Sequence, residues 1–242
     1  MKLTIVIACL VPLVHTPFAP KQPTLPNVQK VLQHMRDAFL NAKTYKADYQ
    51  CRMTMRDKGS TTLRIVLKTV PEKKLYFRVS PTGAGSGELG ARTMALRFLA
   101  IDNGKVGWAY IETLNQYMTG PHATSWFPIT ASYGIVLPNE FRPNDSKFRL
   151  IGSKTLNGSK VLVLDASGQK TSGIGRFYVD AKTFRFRGME MAGMNKGEPM
   201  TVATTLITES VYGPLTSSTF EFTPPPGARQ IQPPMNKRTA LE

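Results

Sequence analysis

The spacing of apolar residues changes once along this chain, from the period of a helix to that of a β-strand. Five apolar residues near the N-terminus fall at i, i+3, i+4, i+7 and i+11, namely Val28, Val31, Leu32, Met35 and Phe39. This spacing predicts one apolar face of a helix that ends near residue 42. From residue 45 to residue 56, apolar and polar side chains alternate without a break, which predicts a long strand with one apolar face and one solvent-exposed face.

Short turns separate further runs of the same two-residue period as far as residue 212. Asp102–Lys105 (Asp-Asn-Gly-Lys) and Asn157-Gly158 are typical hairpin turns, and Gly188 shifts the alternation, which predicts a β-bulge. About ten or eleven antiparallel strands in meander order are expected. Long strands joined by short turns favour one strongly curved sheet over a two-sheet sandwich. The helix is then expected to cover one end of this curved sheet or its open side.

Two segments interrupt the alternation. Between residues 121 and 143, four prolines separate apolar and aromatic residues, among them Trp126 and Phe127, and this predicts a mobile apolar flap. The Gly-rich stretch from residue 81 to residue 90 contains the G-x-G-x-x-G spacing of a dinucleotide site, but no βαβ unit surrounds it. This stretch is therefore predicted to be a flexible loop. No linker divides residues 28–232, so a single domain is expected there.

Residues 1–19 are predicted to be a secretory signal peptide. Lys2 precedes the 12-residue apolar stretch Leu3–Val14, which is shorter than the roughly 20 residues that span a bilayer as a helix. Cys9 lies in a lipobox-like sequence, so lipid anchoring there is the alternative to cleavage after residue 19. Residues 20–27 form a Pro-rich segment before the helix, and residues 233–242 are predicted to be a flexible C-terminal tail.

Few residues suit catalysis or metal binding. Two cysteines and three widely spaced histidines argue against a disulfide scaffold, a Cys-based zinc cluster and a His-rich metal site. No G-x-S-x-G nucleophile elbow is present, and a Ser–His–Asp hydrolase would have to use His122, whose spacing gives it no support. The chain is therefore predicted to be no enzyme and to use neither a cofactor nor a metal ion.

The chain is strongly basic, with 31 Lys and Arg residues against 16 Asp and Glu residues. These cations are spread over the polar faces and turns of the predicted strands. A basic sheet exterior suits anionic lipid headgroups at a membrane surface or an acidic protein partner. Nucleic acid fits the charge alone, but an exported chain rarely meets it, so no nucleic-acid partner is predicted. The alternative is a solubilising face with no specific partner.

Three motifs occur in order along residues 28–232. The helix is followed by the strand Thr44–Tyr49, and Lys68–Pro71 then leads through Leu75–Arg78 to the hairpin Asp102–Gln116. The last motif is Phe220–Ala228, which reads F-E-F-T-P-P-P-G-A. Together these motifs resemble the outer-membrane lipoprotein carrier family, the LolA-like lipoprotein-sorting proteins.

The resemblance implies a mainly β (α+β) fold, in which a single strongly curved antiparallel sheet forms an unclosed half-barrel with an N-terminal helix and a lid segment. It implies a periplasmic, non-enzymatic carrier or binder of acylated lipoproteins or other lipids, monomeric, with partner proteins at the inner and outer membranes. Proteobacterial carriers place an Arg before the strand-ending Pro, where this chain has Val70. The alternative is an envelope interaction or stress-sensing module of the same fold, which docks an acidic or lipid-bearing partner through its basic face.

The positions of the apolar and aromatic residues predict where acyl chains would bind. A single curved sheet with one helix cannot fill its own concavity unless the flap plugs it, so a lipid-sized cavity is expected, with an ordinary core as the alternative. Nine residues are predicted to line the cavity: Tyr45, Tyr49, Met53, Leu63, Ile65, Leu75, Phe77, Trp108 and Tyr110. Two residues are predicted to form the lid: Trp126 and Phe127.

Overall fold

A computed structural model gives the structure of the chain for residues 26–83, 85–94, 97–122, 130, 135, 137, 148–166, 173–195 and 197–232. The predicted signal peptide, most of the Pro-rich segment, the C-terminal tail and both lid residues, Trp126 and Phe127, lie outside these residues. Within the described ranges, no helix combines the length and apolar character needed to cross a membrane.

The predicted N-terminal helix is present as α1, Val28–Leu40. It begins at Asn27, whose side-chain oxygen accepts a hydrogen bond of 2.8 Å from the backbone N–H of Gln29. Its apolar face is fully covered, because Val31, Leu32, Met35 and Phe39 are each at most 5% exposed.

In the part of the chain that the structure describes, the other elements with defined bounds are strands and one short second helix. In chain order they are β1 Tyr45–Met55, β2 Gly59–Val70, β3 Lys74–Pro81, α2 Gly87–Met94, β4 Phe98–Asp102, β5 Val106–Ile111, β6 Gln116–Pro121, β7 Arg149–Leu156, β8 Ser159–Asp165, β9 Gly173–Asp180, β10 Phe186–Asn195, β11 Glu198–Val211 and β12 Arg229–Gln230. Single 3₁₀ turns lie at Glu112–Leu114 and Ser217–Phe220.

All twelve of the described strands belong to one open sheet, in the order β12-β6-β5-β4-β3-β2-β1-β11-β10-β9-β8-β7. The predicted unclosed half-barrel is therefore confirmed, but its connectivity is not one continuous meander. Two meanders, β1–β6 and β7–β11, are joined by antiparallel pairing of β1 with β11, from Tyr45 opposite Val211 to Met55 opposite Met200. The short β12 adds to the β6 edge in parallel.

The main core lies on one face of the sheet, which we call the inner face, beneath α1, and a small second cluster of Val161, Val163 and Tyr178 lies on the other face of β8 and β9. Inward-facing side chains of β1–β4 and β8–β11 join the apolar face of α1 in a single buried cluster. Ile135 and Leu137 also belong to this cluster and are at most 2% exposed. The segment predicted to be an apolar flap thus contributes at least two side chains to the core.

Two glycine predictions have different outcomes. The bulge at Gly188 is confirmed, since the pairing of β10 with β9 shifts between Phe186 and Gly188. The loop prediction for residues 81–90 is wrong from Gly87 onward, where α2 begins. Ser86 exchanges backbone hydrogen bonds with Ser60, so the Gly-rich stretch packs closely against the start of β2.

Candidate binding surfaces on the two faces of the sheet

Six of the nine predicted cavity residues lie together in the buried cluster on the inner face. They are Tyr45, Tyr49, Leu63, Ile65, Leu75 and Phe77, all less than 10% exposed. Met53 is half-buried and packs against the same cluster. The alternation along β1, β2 and β3 therefore correctly identified which side chains share a face.

Side chains fill the inner face where α1 covers it. The rings of Phe39 and Tyr45 meet edge to face, with their centroids 5.6 Å apart. The cavity between α1 and the sheet at Met35, Phe39 and Phe186 is only about 10 Å³, which is too small for an acyl chain. An acyl chain could enter this part of the inner face only by displacing the side chains that now cover it.

A polar network lies at the end of the inner face near the C-terminus of α1. The hydroxyl oxygens of Tyr45 and Tyr49 are 2.9 Å apart, and burial raises the pKa of both side chains. Nearby, the Glu209 side chain is 8% exposed and pairs with Arg185 and Arg187 at 3.3 and 3.8 Å. This end of the inner face is therefore anchored by hydrogen bonds and charge as well as by apolar contact.

Arg187 links this network to Asp180 at the end of β9. Its guanidinium donates two hydrogen bonds of 2.8 and 3.1 Å to one carboxylate oxygen of Asp180. Burial alone would raise the pKa of Asp180, but hydrogen bonds from the Thr183 backbone N–H and from Arg187 lower it below its ordinary value. Asp180 therefore stays ionised and holds the turn that follows β9.

The other two predicted cavity residues, Trp108 and Tyr110, lie on the opposite face of the sheet, which we call the outer face. Ala100 is paired with Phe77 in one direction and with Ala109 in the other, so Ala109 is the β5 residue that shares a face with Phe77. Grouping Trp108 and Tyr110 with Phe77 was wrong by one position in register. Counting outward from the turn at residues 103–104 would have given the correct face.

The chain after β11 crosses the outer face as an irregular segment, residues 212–228, which we call the strap. Thr44 ties the start of the strap by donating a hydrogen bond of 2.6 Å to the Gly213 carbonyl. The side-chain N–H of Asn115 donates to the Pro226 carbonyl near the other end. The strap thus runs from the middle of the sheet to its β6 edge, where β12 begins.

Phe222 fixes the strap to the aromatic part of the outer face. Its ring centroid lies 6.2 Å from that of Trp108, 5.7 Å from that of Tyr110 and 5.7 Å from that of Tyr117. Contacts of this kind are typical of stabilising aromatic clusters. Trp108 and Tyr110 therefore hold the C-terminal F-x-F motif in place.

A cavity of about 760 Å³ lies between the strap and the outer face of β2–β5; we call it the strap cleft. Its lining from the sheet and the 3₁₀ turn that follows β5 comprises Lys68, Tyr76, Arg78, Arg97, Leu99, Ile101, Tyr110, Glu112 and Thr113. Its lining from the strap comprises Ser218, Thr219, Glu221, Phe222, Thr223 and Pro225. The volume lies within the range of small-molecule binding sites. Sequence reasoning missed this cleft, because its two walls are distant along the chain.

His122 forms a contact that the sequence did not predict. Its Nδ1 lies 2.9 Å from both carboxylate oxygens of Asp102, which is completely buried. Asp102 also accepts a hydrogen bond of 2.7 Å from the Gly104 backbone N–H. The pair ties the end of β6 to the β4–β5 hairpin, and no group of side chains that could hold a metal ion occurs in the described residues.

Comparison with known proteins supports the fold. No protein-family model matches the sequence, and no curated protein matches it significantly. An uncharacterized conserved protein from Thermus thermophilus aligns with a TM-score of 0.50 and 15% identity, covering 85% of this chain and 98% of that chain. The two chains share a fold.

Other solved structures are similar at lower scores. A LolA superfamily protein from Nitrosomonas europaea aligns with a TM-score of 0.41 and 10% identity, covering 82% of this chain and 99% of that chain. MucB, in a MucA/MucB complex from Pseudomonas aeruginosa, aligns with a TM-score of 0.45 and 11% identity. That alignment covers 81% of this chain and 61% of the other.

Proposed function

We propose that this protein is a periplasmic, non-enzymatic carrier that holds acyl chains of lipoproteins or other lipids against the inner face. The observation that carries the proposal is the continuous apolar inner face of an open sheet, covered by one amphipathic helix and by Ile135 and Leu137. Each methylene transferred from water to such a surface contributes about 0.8 kcal/mol, so several acyl chains would favour the inner face strongly over water.

Methionines mark the end of the inner face where a ligand would enter. Met53 and Met191 are both paired with Val202 across β1, β11 and β10, and both are half-buried against the core cluster. Met55 is paired with Met200 one step further out. Because methionine is unbranched and flexible, this end can repack around an acyl chain more easily than the tyrosine end.

Displacement of α1 would open the rest of the inner face. α1 is held mainly by the four apolar side chains of its buried face, which acyl chains can replace with contacts of the same kind. The anchored network around Tyr45 and Glu209 would keep the neighbouring strands in place while α1 moves. The carrier therefore needs no chemical step, and the direction of transport would come from its partners at either membrane.

Native mass spectrometry with lipid extraction, on protein purified from its own envelope fraction, tests the proposal. We expect bound lipid or acylated protein near one-to-one and saturable uptake of a fluorescent fatty acid. Met53→Glu should weaken that uptake about tenfold, because it places a charge on the inner face. Its neighbour Thr54 faces outward, so Thr54→Glu is the matched control. A lipid-free protein that takes up no fatty acid would contradict the proposal.

The basic outer face supports a second candidate function, docking of an acidic partner in the envelope. Lys46 and Lys68 lie directly opposite each other on β1 and β2, an arrangement that costs stability unless an anion lies nearby. Arg52 adds a further exposed cation on β1. A pulldown that depends strongly on salt and carries no lipid would favour this function over the carrier. Salt-independent capture would exclude it.

A further inference from the structure

We propose that the strap cleft is a second binding site, on the opposite face from the acyl site, for a small ligand with an anionic group on an apolar body. This inference goes beyond the carrier function and does not depend on it. It is based on the volume of the cleft, on two unpaired cations in its lining, and on its apolar floor.

The cations supply the anion-binding part. Arg78 is already engaged, since its Nη2 lies 2.8 Å from Glu112 Oε1. Lys68 and Arg97 line the same cleft, and within the described ranges neither of them has a carboxylate within ion-pair distance. Two cations are therefore free for a ligand, and an anion beside Lys68 would also offset its repulsion by Lys46.

Lys68 is partly ordered before any ligand binds. Its Nζ lies 4.8 Å from the centroid of the Tyr76 ring, which is itself part of the cleft floor. Such a cation–π contact restricts the lysine side chain, which reduces the entropy lost when an anion binds. The opposing wall of the strap adds the hydroxyl of Thr223, which can donate a hydrogen bond to a phosphate or carboxylate oxygen. The same wall carries the Glu221 carboxylate, so the anionic group of the ligand would lie on the Lys68 side of the cleft.

The apolar part of the ligand would lie on the floor of the cleft. Ile101 and Tyr110 are each at most 8% exposed, and Leu99 is half-buried between them and the rim. Phe222 closes the same space from the strap. Inorganic phosphate would leave these side chains without contacts, so an amphiphilic anion fits better. The strap forms one wall of the cleft, and the space between this wall and the floor has the volume of a small-molecule site.

Isothermal titration of the full chain tests the inference with three probes. Phenyl phosphate and dihexanoyl phosphatidic acid carry an anionic group on an apolar body, and inorganic phosphate carries the charge alone. We expect saturable binding of at least one amphiphilic probe, at least tenfold tighter than that of inorganic phosphate and weakened by added salt. Tighter binding of phosphatidic acid would identify a lipid headgroup as the natural source, and equal or tighter binding of phenyl phosphate would identify a small soluble anion.

Variants separate the cleft from general attraction to a basic protein. The double variant Lys68→Gln, Arg97→Gln should weaken binding of the amphiphilic probe at least tenfold. Arg52→Gln removes an exposed cation on the same face outside the cleft and should change the affinity less than twofold. Met53→Glu, which damages the acyl site, should leave phenyl phosphate binding unchanged.

Four outcomes would overturn the inference. They are no saturable binding of either amphiphilic probe, inorganic phosphate binding as tightly as the amphiphiles, equal losses in Arg52→Gln and the double variant, or a loss of phenyl phosphate binding in Met53→Glu. Because the carrier is tested with fatty acid and the cleft with phenyl phosphate, failure of one proposal is distinguishable from failure of the other.

Discussion

The inner and outer faces of this sheet are covered in different ways by segments that come from opposite ends of the chain. A regular helix covers the inner face, and its evenly spaced side chains interlock with those of the strands. An irregular strap crosses the outer face, contacts it through Phe220 and Phe222, and leaves a cavity of about 760 Å³. A helix presents a continuous apolar stripe, whereas a proline-rich strap presents isolated side chains, so the second cover leaves space for a ligand.

The largest expected difference between the two faces is in the free energy of unfolding when neighbouring residues on β3 are each replaced by alanine. Phe77 is completely buried on the inner face, and Phe77→Ala should lower the free energy of unfolding by about 3–5 kcal/mol. Tyr76 is half-buried on the outer face, and Tyr76→Ala should cost about 1 kcal/mol, chiefly from the lost contact with Lys68. Urea denaturation measures both values. Equal losses would show that the inner face is no better packed than the strap cleft.

The bulge in β10 is expected to have the next largest effect, because it lets Phe186 and Met189 both face inward. Gly188 has φ of +151°, and a Cβ there would lie 2.2 Å from the Thr204 carbonyl oxygen. Gly188→Ala should therefore lower the free energy of unfolding by about 2–3 kcal/mol.

Gly152 on the edge strand β7 is the matched control for this substitution. Its φ is +155°, similar to that of Gly188, but a Cβ there meets nothing within 4 Å. Gly152→Ala should cost less, because only backbone strain remains. Thermal unfolding followed by circular dichroism compares the two variants, and an equal shift in Tm would refute the role of close packing at Gly188.

Removal of the Asp180 charge, which pairs with Arg187 at the tyrosine end of the sheet, should have the smallest effect on the free energy of unfolding, and this effect depends on pH. The pKa of Asp180 is lowered in the folded protein, so its contribution to stability is present above the unfolded pKa, about 4. It is lost as the pH falls through the folded pKa. Asp180→Asn should cost about 1–2 kcal/mol at pH 7, and the difference from wild type should narrow below about pH 4. Urea denaturation across this pH range measures it. A constant difference would show that Asp180 acts without its charge.

Most of the fold could be predicted from local sequence patterns, because the helices, strands and bulges depend on residues that are close together along the chain. The face of α1, the alternation of β1 and the bulge at Gly188 each follow from spacing within a few positions. Pairing of β1 with β11 was not predicted, because no local signal specifies which distant strand completes a sheet. The helical start at Gly87 was missed because its glycines are typical of loops.

The candidate site residues also differ in whether a local pattern could place them. Residues on β1, β2 and β3 were assigned to the correct face, since one long alternation runs through each strand. Trp108 and Tyr110 were assigned to the wrong face because their hydrophobicity suggested a core position, whereas the hairpin register points them toward Phe222. The strap cleft depends on contacts between residues more than a hundred positions apart, so no spacing rule could have located it.

The pairing of β1 with β11 has a consequence for the order of folding during synthesis. Among the strands that the structure describes, β1 is made first, and it lies near the middle of the finished sheet, between β2 and β11. Until β11 emerges from the ribosome, one edge of β1 exposes unpaired backbone groups that other chains could join. A nascent or truncated chain is therefore most prone to aggregate through this central strand, and only the synthesis of β11 removes that risk.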